Sequence, residues 1–418
     1  MSPAVARTFS SLSVPNYRRY FSGQIVSITG NWMQIVGEMW LMVKLTGSGV
    51  SVGLTAGLQF LPILLFGAYG GLLADRMSKR TLLTVTQLSL MVPAVTLFLL
   101  TLTGVVQPWM VLALVLVRGS VLALDNPARQ SFVVEIVGSD RVVNAVALNS
   151  VVVHCSRIIG PAAAGTIIAL IGIAPCFAVN SASFLAMFIA LRTMDPSVLH
   201  TPKPTTRKKG EVRKAFQYVA RTPELLIPLA MMALVGTISY NFQVVLPLLA
   251  DFTWHGTAGT YALLTAAMGV GSVGGALAAG ARGQVSPRLL ITASTLFGVA
   301  MLLAAVAPSL ELQVLALVPL GAASVTFAAG VNSALQIAVE PVMRGRVMAL
   351  YSIVFLGSTP IGAPLVGWLA GAAGPRAGLW AGAVAALIAA LAAAVAFGRA
   401  GLVSRPGGRL RLRTVRAE

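Results

Sequence analysis

Cysteine, histidine and acidic residues are all scarce in this 418-residue chain: 2 Cys, 3 His and 12 Asp plus Glu. Cys155 and Cys176 both fall inside apolar runs, so no disulfide framework is expected. His154 and Cys155 are chain neighbours that would point to different helix faces, and no cluster has metal-ligand spacing. No glycine-rich loop followed by lysine is present, which excludes ATP as the energy source. No Ser-His-Asp set occurs in any loop, so neither an enzyme nor a cofactor is expected. Charge of any kind is sparse at 10%, against 57% hydrophobic residues and a mean hydropathy of +0.85. That balance excludes a water-soluble globule.

What the chain does have is length of apolar sequence. Runs of about 20 residues, enough to cross a bilayer as helices, recur about twelve times. They cover roughly 20–43, 49–73, 81–103, 108–127, 143–170, 174–194, 224–250, 258–281, 288–308, 312–336, 346–372 and 376–398. A transmembrane barrel would need alternation of apolar and polar residues, which these runs lack. The expectation is an all-α membrane protein.

The net charge of +18 is distributed by side. If alternate loops are cytoplasmic, that side collects 26 of the 30 bases, including eight between Arg192 and Arg221 and six from Arg399 to Arg416. The opposite side has only Lys44 and Arg376, and Arg118 and Arg157 lie within spans. The positive-inside rule then puts both termini and the central loop in the cytoplasm. Bases split among short loops do not form a nucleic-acid surface. Arg18-Arg19 precedes an apolar run without a small-residue cleavage site, so no cleavable signal is expected.

The chain also repeats. Val111–Val115 (VLALV) recurs at Val314–Val318, Ile159-Gly160 with Gly165 at Ile361-Gly362 with Gly367, and Gly70–Ala74 (GGLLA) as Gly274–Ala278 (GGALA). These offsets of 203, 202 and 204 residues contain six spans, which implies two six-helix bundles in the same orientation. The expected divisions are a first bundle over 1–195, a basic connector over 196–223, a second bundle over 224–400 and a basic tail over 401–418. Within the connector, Glu211 to Tyr218 has the pattern of a surface helix touching anionic headgroups.

Polar residues inside spans mark where function sits. In the first span Gln24, Ser27, Asn31, Gln34 and Glu38 recur at steps of 3, 4, 3 and 4, on one helical face. Facing lipid, that stripe would be costly, so it faces a cavity or other helices. The fifth span carries Ser150, His154, Arg157 and Pro161 in the same manner, and the fourth carries Arg118 with Asp125 two turns on. Glu38, His154, Arg118 and Arg157 are the proton-coupling candidates. Burial and a neighbouring arginine would pull the proton affinity of Glu38 in opposite directions. The arginines could instead attract an anionic group. Gln24, Asn31 and Gln34, with the neutral Asn241, Gln243, Asn332 and Gln336 of the second half, are the candidate substrate-cavity residues. Gly160-Pro161, Gly165, Gly362, Pro364 and Gly367 suit close or bending helices, as do Gly269, Gly271, Gly274 and Gly275.

The second span runs directly into Asp75-Arg76-Met77-Ser78-Lys79-Arg80. With Gly71, this resembles the charged loop G-x-x-x-D-R-x-G-R-R of the major facilitator superfamily, Ser78 standing where glycine is usual. The segments Asp125–Glu135 (DNPARQSFVVE), Asn144–Ser150, Arg157–Pro161, Leu45–Ser48 and Thr222–Leu225 resemble the branch containing the enterobactin exporter and related drug and siderophore efflux proteins. The resemblance implies the major facilitator fold and a bacterial inner-membrane exporter, driven by protons, of siderophores or amphipathic drugs. It offers the family's fourth-span arginine as one identity for Arg118. It also implies a cytoplasmic gate of Gly71, Asp75, Arg76, Lys79 and Arg80, in which Asp75 ties the second span to Arg129 and Arg346. An importer of the same fold and a membrane scaffold or sensor remain open.

Overall fold

The computed structural model describes residues 10–200, 211–282, 285–340 and 343–402, with backbone alone at 68–76, 139, 211–215 and 281–282. The described residues are helical with no strand. In the first half, α1 is Pro15–Thr46, α2 Gly49–Arg76, α3 Lys79–Leu102, α4 Pro108–Val137, α5 Val142–Ile171 and α6 Ala174–Arg192. A short α7, Glu211–Arg221, precedes the second half. There α8 is Pro223–Ile238, α9 Phe242–Leu248, α10 Ala258–Arg282, α11 Pro287–Val306, α12 Leu310–Ala338, α13 Arg344–Gly357, α14 Thr359–Ala373 and α15 Pro375–Arg399.

Among the described residues, eleven stretches are long and apolar enough to cross a membrane, two of them made of consecutive pieces, 223–253 and 344–373. Helix α1 is also long enough at 32 residues, but its polar stripe lowers its hydropathy. Large apolar side chains such as Leu99, Leu303 and Leu391 are exposed on the protein surface. In water that would be a defect; against lipid it is the required outer face, with every helix satisfying its own backbone.

Local chemistry sets the ends. Proline in the first turn starts α1, α4, α6, α8, α11, α14 and α15, where its missing N–H costs nothing. Ser286 and Ser309 cap α11 and α12 by accepting from the Leu289 and Leu312 amides. Gly47, at φ 56°, closes α1 in the left-handed conformation.

Compact packing divides the chain into two units. One comprises Met1–Gly47, Leu58–Thr206 and Gly256–Ala266; the other comprises Ser48–Gly57, Arg207–His255 and Ala267–Glu418. The division therefore runs inside α2 and α10.

In the first unit α1 is central, packing on α6, α5 and α4, while α3 packs on α6 and α4. Three glycines at seven-residue spacing set the α1–α6 approach. A β-carbon on Gly23 would meet Ala190 at 2.9 Å, one on Gly30 would meet the Ser183 hydroxyl at 2.5 Å, and one on Gly37 would meet the Phe177 ring at 3.1 Å. At one end Tyr17, Tyr20, Leu83, Phe132, Ile136 and Leu191 form a closed apolar cluster from α1, α3, α4 and α6.

In the second unit α11 packs on α15 and α12, and α8 packs on α15 and α12. Gly271 and Gly275 bring α10 onto the backbone of α12 at Val318 and Ala322, whereas Gly274 faces open space. The run expected as one span over 224–250 is interrupted at Ser239–Asn241 and ends in a π-helical turn, Leu249–Thr253.

Candidate substrate cavity and charge pairs

The polar stripe of α1 points into the first unit. Gln24, Ser27, Gln34 and Glu38 are buried and Asn31 is partly buried. Opposite stands Arg118 of α4, whose Nη2 meets Glu38 Oε2 at 2.6 Å, with both side chains fully enclosed. Arg118 Nη1 donates to Asn31 Oδ1 at 2.9 Å. The second Glu38 oxygen accepts from Gln34 Nε2 at 2.7 Å. Asn180 of α6 in turn donates to Gln34 Oε1, and Ser183 donates to Asn180 Oδ1 at 2.8 Å. The carboxylate is thus held from two sides, while Arg118 Nε is buried without a partner. Removing one member of such a pair leaves an uncompensated buried charge and costs about 3–5 kcal/mol.

Two helical turns along α4 lies a second assembly. Asp125 Oδ2 accepts from Arg129 Nε at 2.8 Å. Asp125 Oδ1 accepts from Thr86 Oγ1 at 2.6 Å and Gln87 Nε2 at 2.9 Å, both on α3. Arg129 Nη1 donates to Gln24 Oε1 at 2.9 Å, and Gln24 Nε2 donates to Asn149 Oδ1 of α5 at 2.6 Å. Gln24, Asp125, Arg129 and Asn149 border a cavity of about 250 Å³. Its polar lining includes Gln24, Ser27, Asn31, Asn126, Gln130 and Asn149, and its apolar wall includes Ile28, Leu90, Leu122, Val153 and Phe184. A chamber with one charge pair, several amides and one greasy wall suits an amphipathic guest.

A third pair ends the row. Lys79 Nζ meets Glu135 Oε1 at 2.5 Å, tying the start of α3 to the end of α4. Arg80 donates to the Leu191 and Arg192 carbonyls, each at 2.8 Å, capping the C-terminus of α6. Two gate candidates therefore lock neighbouring helix ends. The side chains of Gly71, Asp75 and Arg76 lie outside the described residues. Arg346 is part-buried in the first turn of α13, 3.3 Å from Met343 Sδ. Arg129, expected at the gate, contacts Asp125 and Gln24 at the cavity.

The remaining candidates fall elsewhere. His154 is half-buried with Nδ1 unpartnered. Arg157 places its guanidinium 5.1 Å from the centre of the Trp32 ring, a cation–π contact. In the second unit Asn241 Nδ2 donates to the Thr237 and Ile238 carbonyls, satisfying the broken end of α8, while its Oδ1 and Gln243 Oε1 stay unpartnered. Gln336 donates to Asn332 one turn before it. Beside the break, Tyr240 packs on Phe242, Phe297 and Phe355 at 6.3, 5.3 and 5.5 Å between ring centres. Thr86, Gln87, Asn149 and Asn180 were not singled out from sequence. The available signal was simply an amide or hydroxyl isolated in an apolar run. Among the described residues no group of three or more His, Cys, Asp or Glu could hold a metal ion.

The model of one family, described as transmembrane secretion effector, matches residues 6–399. The chain is 26% identical over 367 residues to the enterobactin exporter EntS of Escherichia coli O1:K1 / APEC, covering 86% of each chain. It is 26% identical over 210 residues to the uncharacterized MFS-type transporter YfiS of Bacillus subtilis (strain 168). That match spans 49% of each, about half the relative's length. A solved bacterial homolog to the human lysosomal transporter Spinster shares the fold, with a TM-score of 0.72 over 96% of this chain and 97% of that one at 15% identity.

Proposed function

The chain belongs to the transmembrane secretion effector family of the major facilitator superfamily, and from that membership we propose a proton-coupled exporter of small amphipathic molecules. Siderophores or drugs are the cargo class, and the bacterial inner membrane is the site of action, with both termini cytoplasmic. The relative named as an enterobactin exporter and the concentration of bases on one side support this reading.

The observation that carries the coupling is the enclosed Glu38–Arg118 pair. With Glu38 ionised, the two charges compensate and the helices α1 and α4 stay joined. A proton on Glu38 removes the compensation and leaves Arg118 with Asn31. A buried guanidinium without its counter-charge is costly, so protonation favours the conformer in which Arg118 reaches water. A group that interacts differently with two conformers shifts their populations, and this is how a proton gradient drives alternating access. Gln34, braced by Asn180, keeps the carboxylate oriented for its return. Asp75 of the charged loop ties and releases the cytoplasmic ends, beside the Lys79–Glu135 lock.

The test is uptake into everted membrane vesicles. Enterobactin or ethidium should enter when a proton gradient is generated and stop when it is collapsed. Glu38→Gln should lose gradient-driven uptake yet keep counterflow of labelled against unlabelled cargo. Gradient-driven uptake at the wild-type rate in Glu38→Gln would remove Glu38 from the coupling role, and uptake only into right-side-out vesicles would make the protein an importer.

A further inference from the structure

Three arginines of the first unit are candidates to read negative charge on a cargo, and their surroundings separate them. Arg118 is fully enclosed and bound to Glu38. Arg157 lies over Trp32. Arg129 is the single base in the lining of the 250 Å³ cavity, and 15% of its side chain is exposed.

Resting on the transporter reading, we infer that Arg129 is the anion-binding residue of the cavity and that Asp125 stands in for the acidic group of the cargo. The ligand class is an aromatic or amphipathic carboxylate, entering head first.

Three observations support this assignment. The Asp125–Arg129 contact runs through one guanidinium nitrogen, Nε, although this side chain can offer a carboxylate two parallel donors. Asp125 does not depend on it alone, because Thr86 and Gln87 donate to its other oxygen. If an incoming carboxylate takes the guanidinium, Asp125 therefore keeps two donors. Finally, the Tyr20 hydroxyl is buried beside both charges, next to the Arg129 guanidinium. It can accept from Arg129 or donate to Asp125 once the pair opens, so the exchange need not strand a polar group.

Size limits what fits. A cavity of about 250 Å³ takes a substituted benzoate ring with its carboxylate, but not a whole siderophore. Phe184, Leu90 and Leu122 supply the wall for the ring, and Gln24 and Asn149 sit where the polar edge would lie. One acidic arm is thus read inside the first unit.

Equilibrium binding to the purified full chain, without any gradient, tests this with labelled salicylate and its neutral amide, salicylamide. Wild-type protein should prefer the acid by about tenfold, the size of one charge-assisted contact. Arg129→Gln should erase the preference by weakening acid binding and leaving amide binding in place. Asp125→Asn, which removes the internal competitor, should tighten acid binding several-fold. The double variant Arg129→Gln/Asp125→Asn avoids a stranded carboxylate and should bind acid and amide equally, even if Arg129→Gln alone folds poorly. Equal affinity for the two probes in wild type, no salicylate binding, or a preference that survives in the double variant would overturn the assignment. None of these outcomes touches proton coupling through Glu38, and loss of that coupling would leave this binding difference intact.

Discussion

The two units answer the same problem, how to keep polar groups inside a bilayer, in different ways. In the first, three ion pairs follow one another along α4: Arg118 with Glu38, Arg129 with Asp125, and Glu135 with Lys79. In the second, the described contacts of Ser239, Asn241 and Ser294 run to backbone carbonyls, and Gly271, Gly275 and Gly321 dock backbone on backbone. A charge pair has two states differing by a proton or a displaced partner, whereas a carbonyl contact has one. Under the proposed function, the first half is the one that switches and the second the one that holds shape.

The largest effect should come from breaking the charge side of that contrast. Arg118→Gln strands Glu38 and should lower stability by about 3–5 kcal/mol, read as a large drop in melting temperature by size-exclusion thermostability. Pairing it with Glu38→Gln should restore most of the loss. If the single variant is as stable as wild type, the pair is not enclosed as described.

Next is the α1–α6 approach. Gly30→Val drives a side chain into Ser183 and Asn180 and should cost about 1–3 kcal/mol, while Gly274→Ala, with nothing within 4 Å, should be neutral or slightly stabilising. Equal losses at both glycines would show that helix propensity, not contact, sets the cost. In the second unit, Ser294→Ala removes a 2.8 Å bond to the Ala386 carbonyl and should cost about 0.5–1.5 kcal/mol with transport unchanged. A transport defect there would mean that this unit switches as well.

Much of this was legible beforehand because membrane helices declare themselves by length of apolar run. The stripe Gln24–Glu38 was legible too, since steps of 3 and 4 fix a face. The partner of Glu38 was not: spacing within α1 says nothing about which residue of α4 comes opposite. The fourth span illustrates a second limit. The apolar run is expected to end at 127, yet α4 continues to Val137 with Pro127 inside it. The helix continues because Arg129 and Glu135 find partners at Asp125 and Lys79. That extension moves Arg129 from an expected loop to the cavity. The break at Ser239–Asn241 was hidden because polar residues also occur inside unbroken spans, as Asn180, Ser181 and Ser183 do in α6.

The most direct measurement is internal pH in proteoliposomes under an imposed gradient, recorded as cargo is added, with wild type beside Glu38→Gln/Arg118→Gln. The double variant keeps the pair's shape without its charges. Cargo-dependent proton movement in wild type and none in the double variant is the predicted result. Equal proton movement in both would contradict coupling through this pair.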